Sequence, residues 1–338
     1  MLTFDPHPLL KGPHRMTLAS RWWPRPPARS VPEVTRLFDV EPGSRISTKC
    51  HWQPIPHLHP TLLLVHGLEG CTDSHYMIGI GHKAWRAAFN VVRMNQRNCG
   101  GTEHLTPTLY HGGLSHDLYA VIKELVDRDR LPALWVVGYS MGGNLALKLA
   151  GEVGATLPQL KGIVAVCPNI HPAACVTALQ HPRNWIYHTY FLTHLKRRLK
   201  RKARWFPNKW DLTPLDSIRT LWEFDDCYTA KDGGFRDAAD YYERSGARHV
   251  LAQIAVPTLI ITAQDDPFIP FETFDLAPLR FNSAIQLVAP SHGGHCGFLQ
   301  RPREGEDLYW AENRIVDFLR DHARRTIAHT PGSNSSTL

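Results

Sequence analysis

Short, largely apolar runs recur at Thr61–Val65, Phe89–Met94, Leu134–Val137, Ile163–Cys167, Pro257–Thr262 and Ile285–Val288. Runs of this length and character suit strands covered on both faces. Between them, Ser74–Phe89, Ser115–Asp129, Met141–Glu152 and Asp307–Ala323 repeat their apolar positions at helical spacing. The alternation predicts an α/β fold with a mostly parallel central sheet flanked by helices. A further strand is expected near Arg45–Trp52, followed by a turn bearing Pro54, Pro56 and Pro60.

The alternation breaks between about His171 and Ala255, where aromatic and basic helical patterns run without a clear strand. We therefore expect a core of residues 36–170 and 255–325, interrupted by a helical cap insertion at 171–254. Residues 1–35, rich in Pro, Arg and Trp, read as an irregular arm packing on the core. Residues 326–338 read as a disordered tail.

The length of 338 residues suits one large domain or two modest ones, and a hydrophobic content of 43% excludes a wholly disordered chain. Net charge is +7, yet Lys196, Arg197, Arg198, Lys200, Arg201, Lys202 and Arg204 lie in one stretch without an acid. Without them the remaining 31 basic residues equal the 31 acidic ones. The excess is local, so a diffuse nucleic-acid-binding surface is not expected. Seven widely spaced cysteines with no CxxC pair argue against a disulfide framework or structural zinc. No signal pattern or membrane-length apolar run is present, and a cytoplasmic location is expected.

Candidate chemistry centres on Gly138-Tyr139-Ser140-Met141-Gly142-Gly143-Asn144, entered by an apolar strand and left by a helix. A GxSxG pattern alone carries little weight, but this strand–turn–helix setting is what a nucleophile elbow requires. A serine nucleophile needs a base, and the base an orienting acid. Asp265 and Asp266 follow one strand; His292 and His295 follow the next. We favour Asp266, which stands directly before Pro-Phe-Ile-Pro, with Asp265 as the alternative, and His295 over His292. Two backbone N–H groups should hold a developing oxyanion. Met141 supplies one, and the turn Val65-His66-Gly67-Leu68-Glu69-Gly70 the other, through Leu68 or alternatively Gly67. Cys71, Cys99 and Cys296 lie near these motifs and read as small buried thiols. The pairs His57/His59 and His292/His295 lack a third metal ligand at informative spacing.

With these motifs in place the sequence resembles the YheT-like (EMB8-type) branch of the α/β-hydrolase superfamily, related to eukaryotic α/β-hydrolase-domain lipases and esterases. The resemblance rests on His66–Gly70, Arg97-Asn98-Cys99-Gly100-Gly101, Gly138–Asn144, Glu223-Phe224-Asp225-Asp226, Asp265-Asp266-Pro267-Phe268, His292–Phe298 and the segment Phe235–Tyr242. It spans roughly residues 12–323. It departs at Pro13-His14-Arg15-Met16-Thr17, where the family carries a more polar pattern. The resemblance implies hydrolysis of carboxylic esters, with Ser140, Asp266 and His295 in the triad positions and no cofactor or metal. Expected substrates are small-molecule or lipid esters of short to medium acyl chain. Acyl transfer to alcohols and thioester cleavage would use the same triad. The basic run Lys196–Arg204 adds a cross-class alternative, a peripheral lipid-surface protein making weak membrane contact.

Overall fold

A computed structural model describes residues 3–25 and 31–328. Its centre is one eight-stranded sheet in the order β1-β2-β4-β3-β5-β6-β7-β8. The strands are β1 (Val34–Glu41), β2 (Ser44–His51), β3 (Thr61–Val65), β4 (Asn90–Met94), β5 (Leu134–Tyr139), β6 (Leu160–Val166), β7 (Thr258–Ile261) and β8 (Ile285–Val288). From β4 to β8 the pairing is parallel, whereas β1 and β2 form an antiparallel hairpin joined antiparallel to β4.

Every residue of β3, β4 and β5 is buried, which is why these strands read as continuous apolar runs. Successive side chains point to opposite faces. Leu63, Val65, Val92 and Val136 pack with helices α3 (Ser115–Asp127) and α4 (Met141–Val153) on one side. Leu62, Leu64, Val91 and Val137 join α2 (His75–Arg86) and the C-terminal helix Trp310–Ala328 on the other. The edge strand β1 escaped the apolar pattern because most of it faces solvent, with Phe38 as its one fully buried residue.

The N-terminal arm differs from expectation. It contains a helix, α1 (Pro13–Trp22), where an irregular segment was expected. Pro13 looks like a helix breaker in sequence but occupies the first helical turn, where a missing N–H costs nothing. Met16 of α1 is fully buried, and Phe4 packs edge-on against Phe298. The C-terminal helix also runs past residue 325 to Ala328; residues 329–338 of the expected tail lie outside the described residues.

Between β6 and β7 the chain forms helices alone: α5 (Pro172–Gln180), the long α6 (Trp185–Trp205), α7 (Leu221–Phe224), a π-helical turn Asp225–Thr229, α8 (Ala230–Asp232) and α9 (Ala238–Ser245). Leu192, Leu195 and Leu199 of α6 join the same apolar cluster as α3 and α4. After β7 come the short α10 (Ala277–Phe281), then β8 and α11 (Trp310–Ala328).

Candidate active site

The turn from β5 into α4 is sharp. Ser140 has φ 54° and ψ −118°, a strained conformation for a residue with a side chain. A Cβ on Gly138 would collide with Gly142 O, and one on Gly142 with Val65 O, so both positions require glycine. Serine at the start of a helix ordinarily caps it by accepting an N–H bond. Here the strained backbone turns Oγ away; it makes no capping bond and stands free at the cleft.

Beside it lies the turn after β3. An ideal Cβ at Gly67 would stand 3.1 Å from Ser140 Cβ, so the turn and the elbow are in contact. His66 fixes this turn. Its Nε2 accepts from Gln96 N–H at 3.0 Å, which places the ring proton on Nδ1, 2.7 Å from Gly67 O. Burial pushes the imidazole down to about 4, so it remains neutral. Gly70 N–H also donates to Gly67 O. In a planar trans peptide the C=O and following N–H point in opposite directions. With Gly67 O held by His66 and Gly70, Leu68 N–H points the opposite way from those two partners, and Leu68 itself lines the cleft. The neighbouring N–H groups are engaged, Gly67 by Tyr76 Oη at 3.1 Å and Glu69 by Tyr110 Oη at 3.2 Å. Of the two alternatives, the geometry thus favours Leu68 over Gly67. Met141 N–H, at the first position of α4, belongs to the set of helical donors that lack an intrahelical partner.

Glu69 (φ 57°) braces the same turn from behind. Its buried carboxylate accepts from Tyr110 Oη at 2.6 Å and from Arg198 Nε and Nη2, each at 2.9 Å. Arg198 comes from α6 and also donates to Asn98 O. Lys202, one turn on, is fully buried and donates to Asn98 Oδ1 at 2.5 Å and to Thr106 O. The basic run is divided: Arg198 and Lys202 face the core, Lys196, Lys200 and Arg201 pair with Ile218 O, Asp216 and Glu103, and Arg197, Lys200, Arg201 and Arg204 are exposed.

Behind Phe268 and Ile269, which line the cleft, Asp266 Oδ2 lies 2.8 Å from His295 Nδ1, and Asp266 Oδ1 accepts from Phe268 N–H and Ile269 N–H. Asp265 serves a different histidine. Its Oδ2 is 3.2 Å from His292 Nδ1, and its Oδ1 accepts from Gly294 N–H at 2.9 Å. The structure thus joins His295 to Asp266 and uses Asp265 to shape the loop that carries His295. Burial disfavours the imidazolium of His295, but the Asp266 charge, Cys296 and their hydrogen bonds outweigh it, and the ring's affinity for a proton is raised. No hydrogen bond links His295 to Ser140 in this arrangement; the two are bridged by Phe268, whose ring centroid is 4.0 Å from that of His295 and which lines the cleft with Ser140.

Residues of α1 complete this end and were not anticipated. Thr17 Oγ1 accepts from His295 N–H at 2.8 Å and donates to Pro13 O. His14 Nδ1 lies 3.2 Å from Tyr187 Oη, linking α1 to α6. Nothing in the local pattern of Pro13–Thr17 announces a partner some 280 positions away.

The cleft encloses about 730 Å³ including its open mouth. Its walls are mainly apolar, from Leu68, Met141, Leu179, Phe191, Leu195 and Ile269, with His111, Asn169, Asp225 and Thr229 among the polar residues that join Ser140. Burial pushes the Asp225 carboxyl up to about 6, although bonds from Thr229 and Tyr242 Oη oppose the shift. Cys99 is buried as expected. Cys71 and Cys296 depart from the expected buried thiol: each is only partly covered. Among the described residues, Cys167, His295 and Cys296 form the one cluster whose donor atoms all lie within 4.8 Å of one another, the spacing a thiophilic cation would need. His292, paired with Asp265, stands apart from it.

A strained serine elbow at the end of a parallel-sheet strand, with an Asp–His pair after later strands, defines the α/β-hydrolase class. Residues 60–302 match the family model described as alpha/beta hydrolase fold, and the chain belongs to that family. Within it the chain falls in the YheT-like, EMB8-type branch related to ABHD proteins. It is 33% identical over 262 residues to "Putative esterase YheT" of Escherichia coli (strain K12), covering 77% of this chain and 76% of that protein. Identity to "Phospholipase ABHD3" of Mus musculus is 30% over 242 residues, 71% of this chain and 59% of that protein. Among solved structures, the 2,6-dihydroxy-pseudo-oxynicotine hydrolase superposes with a TM-score of 0.59 at 18% identity, covering 96% of this chain and 76% of that one. No helix among the described residues is long and apolar enough to cross a membrane.

Proposed function

We propose that this protein hydrolyses carboxylic esters through an acyl-enzyme on Ser140. The observation that carries the reading is the 2.8 Å Asp266–His295 pair packed on Phe268, which lines the same cleft as an uncapped Ser140 hydroxyl. Substrate entry brings Ser140 Oγ and His295 Nε2 together, as catalytic hydrogen bonds in free enzymes are commonly loose. His295 takes the serine proton as Oγ attacks the ester carbonyl. Asp266 holds the Nδ1–H tautomer and stabilises the imidazolium. Leu68 and Met141 N–H groups receive the oxyanion, and His295 then protonates the leaving alcohol. Water, deprotonated by the same imidazole, releases the acid. No step calls for a cofactor.

The apolar walls favour an acyl chain of short to medium length, and kinship with a protein named phospholipase supports lipid esters. The helical segment 171–254 acts as a cap, since α5, α6 and the π-helical turn roof the cleft. A purely lipid-surface role draws less support, because Arg198 and Lys202 are turned inward.

Fluorophosphonate labelling of wild type and Ser140→Ala tests the reading. Wild type should label and hydrolyse p-nitrophenyl esters, and the variant should do neither. Equal labelling of the variant would remove Ser140 as nucleophile.

A further inference from the structure

Behind the His295 loop lies a thiol pair that ester hydrolysis does not use. Cys167 follows β6 and is fully buried; Cys296 adjoins His295 and is partly covered. Cys296 N–H donates to Cys167 Sγ at 3.3 Å, and the two sulfur atoms lie within 4.8 Å of each other. Each sulfur also faces a carbonyl across the gap, Cys167 Sγ to Gly294 O and Cys296 Sγ to Val166 O, both at 3.8 Å. Both cysteines hold positive φ, 45° and 56°, a conformation uncommon for residues with side chains. Strain of this kind persists only where the surroundings impose it, and it gathers at functional positions.

Cys296 differs in kind from the buried cysteines, whereas burial pushes its partner Cys167 well up, as it does the rest of them. Cys50, Cys99 and Cys175 are pushed up by burial and stay protonated. At Cys296 burial acts the same way, but the hydrogen bonds from Cys167 and His295, together with the charge His295 carries when protonated, outweigh it and bring the thiol down to about 6. A thiolate with a neighbouring thiol in reach is the arrangement that reacts with oxidants and is then resolved.

We propose that Cys296 and Cys167 form a reversible oxidation site for peroxide-class oxidants, and that closing their disulfide displaces His295 and switches hydrolysis off. The Cys296 thiolate attacks one peroxide oxygen, the O–O bond breaks and hydroxide leaves, giving a sulfenic acid; sulfur loses two electrons and the peroxide gains them. Cys167 sulfur then attacks the sulfenyl sulfur. The S–O bond breaks, the departing hydroxide takes the Cys167 proton as water, and the disulfide is left. A dithiol reductant returns both thiols by exchange. A bond of about 2.05 Å requires the two sulfurs to draw together. That movement pulls on Cys296 and on its neighbour His295, whose alignment with Asp266 tolerates little error.

The activity readout rests on the ester-hydrolase reading, whereas formation of the bond does not. Fully reduced protein is treated with hydrogen peroxide, and its cysteines are mapped by mass spectrometry before and after dithiothreitol. The expected result is one linkage joining the peptides of Cys167 and Cys296, a roughly 100-fold fall in p-nitrophenyl ester turnover, and recovery on reduction. Cys167→Ser and Cys296→Ser, each compared with its own untreated sample, should lose the reversible inactivation. Both cysteines remaining free thiols, or a linkage that leaves turnover unchanged, would overturn the proposal. Reversible inactivation undiminished in either serine variant would do the same. Ser140→Ala separates the two readings: it should still form the linkage, so failure of the nucleophile assignment leaves the mapped bond intact.

Discussion

The two ends of the cleft are anchored by different parts of the chain. At the base end, Asp266 and His295 are held by the core and by α1, through backbone N–H groups of Phe268 and Ile269 and through Thr17. At the oxyanion end, the Leu68 turn is held from inside by His66 and from outside by Arg198 of the inserted α6. Segment 171–254 reaches both ends in different ways: Asn184 donates to Pro267 O and Tyr187 meets His14 and Phe268 at the first, while at the second Arg198 clamps Glu69 with two bonds. Helix α6 is therefore a structural part of the turn that carries Leu68 as well as a wall of the cleft. Its basic character, which in sequence suggests an outward-facing surface, partly serves this inward role.

Exchanging the carboxylates tests the base end most severely. Asp266→Asn should lower turnover by about 10,000-fold, since the imidazole then has no acceptor for its Nδ1 proton and no stabilising charge. Asp265→Asn should cost far less, because Asp265 touches His292 and Gly294 N–H but not His295. Parallel steady-state kinetics of the two decide between them, and equal losses would erase the distinction.

The corresponding blow at the oxyanion end is Arg198→Met. It leaves the buried Glu69 carboxylate without its cation, which costs about 3–5 kcal/mol of stability. Turnover should fall roughly 100-fold, the size of effect seen when one oxyanion donor is lost. Adding Glu69→Gln should return much of the lost Tm, since it removes the stranded charge. Denaturant melts and kcat measured together would show whether the clamp acts on the turn or only on the fold.

A milder cut at the base end is Thr17→Val, which removes the acceptor for His295 N–H but keeps the shape. Loss of one such bond is worth about 0.5–1.5 kcal/mol, so kcat should drop by roughly threefold to tenfold with KM little changed. A KM effect of the same size would instead place Thr17 among substrate contacts.

The smallest expected effect is a shift of a pH profile. His295 acts as base only when neutral, so the rate falls as pH drops through its pKa. Asp266 and Cys296 raise that pKa, which moves the acid limb of kcat/KM above the ordinary histidine range. Cys296→Ala removes one of the two negative neighbours and should move the limb to lower pH, leaving relatively more activity on the acid side. An unmoved or upward-moving limb would show that Cys296 carries no charge there.

Much of this was legible in the chain. Apolar runs located the buried strands, because strands covered on both faces have no polar side to confuse the pattern. The elbow, the Leu68 turn and the two Asp–His candidates followed from strand ends and glycine positions. What stayed hidden depends on contacts distant in sequence. Strand β1 is an exposed edge, α1 opens on a proline, and neither Thr17–His295 nor Arg198–Glu69 has a local signature. The choice between Asp265 and Asp266 also needed three dimensions, since adjacent carboxylates differ only in which histidine they meet.

The bond from His295 N–H to Thr17, some 280 positions apart, has a bearing on how the enzyme comes into being. Contacts so distant in the chain are costly in loop-closure entropy and tend to form late. During synthesis the Ser140 elbow and the Leu68 turn emerge well before residues 266 and 295, so a growing chain carries the elbow without the Asp266–His295 pair. The loop that carries His295 can take up its final place only when it docks onto α1, which it follows by some 280 positions.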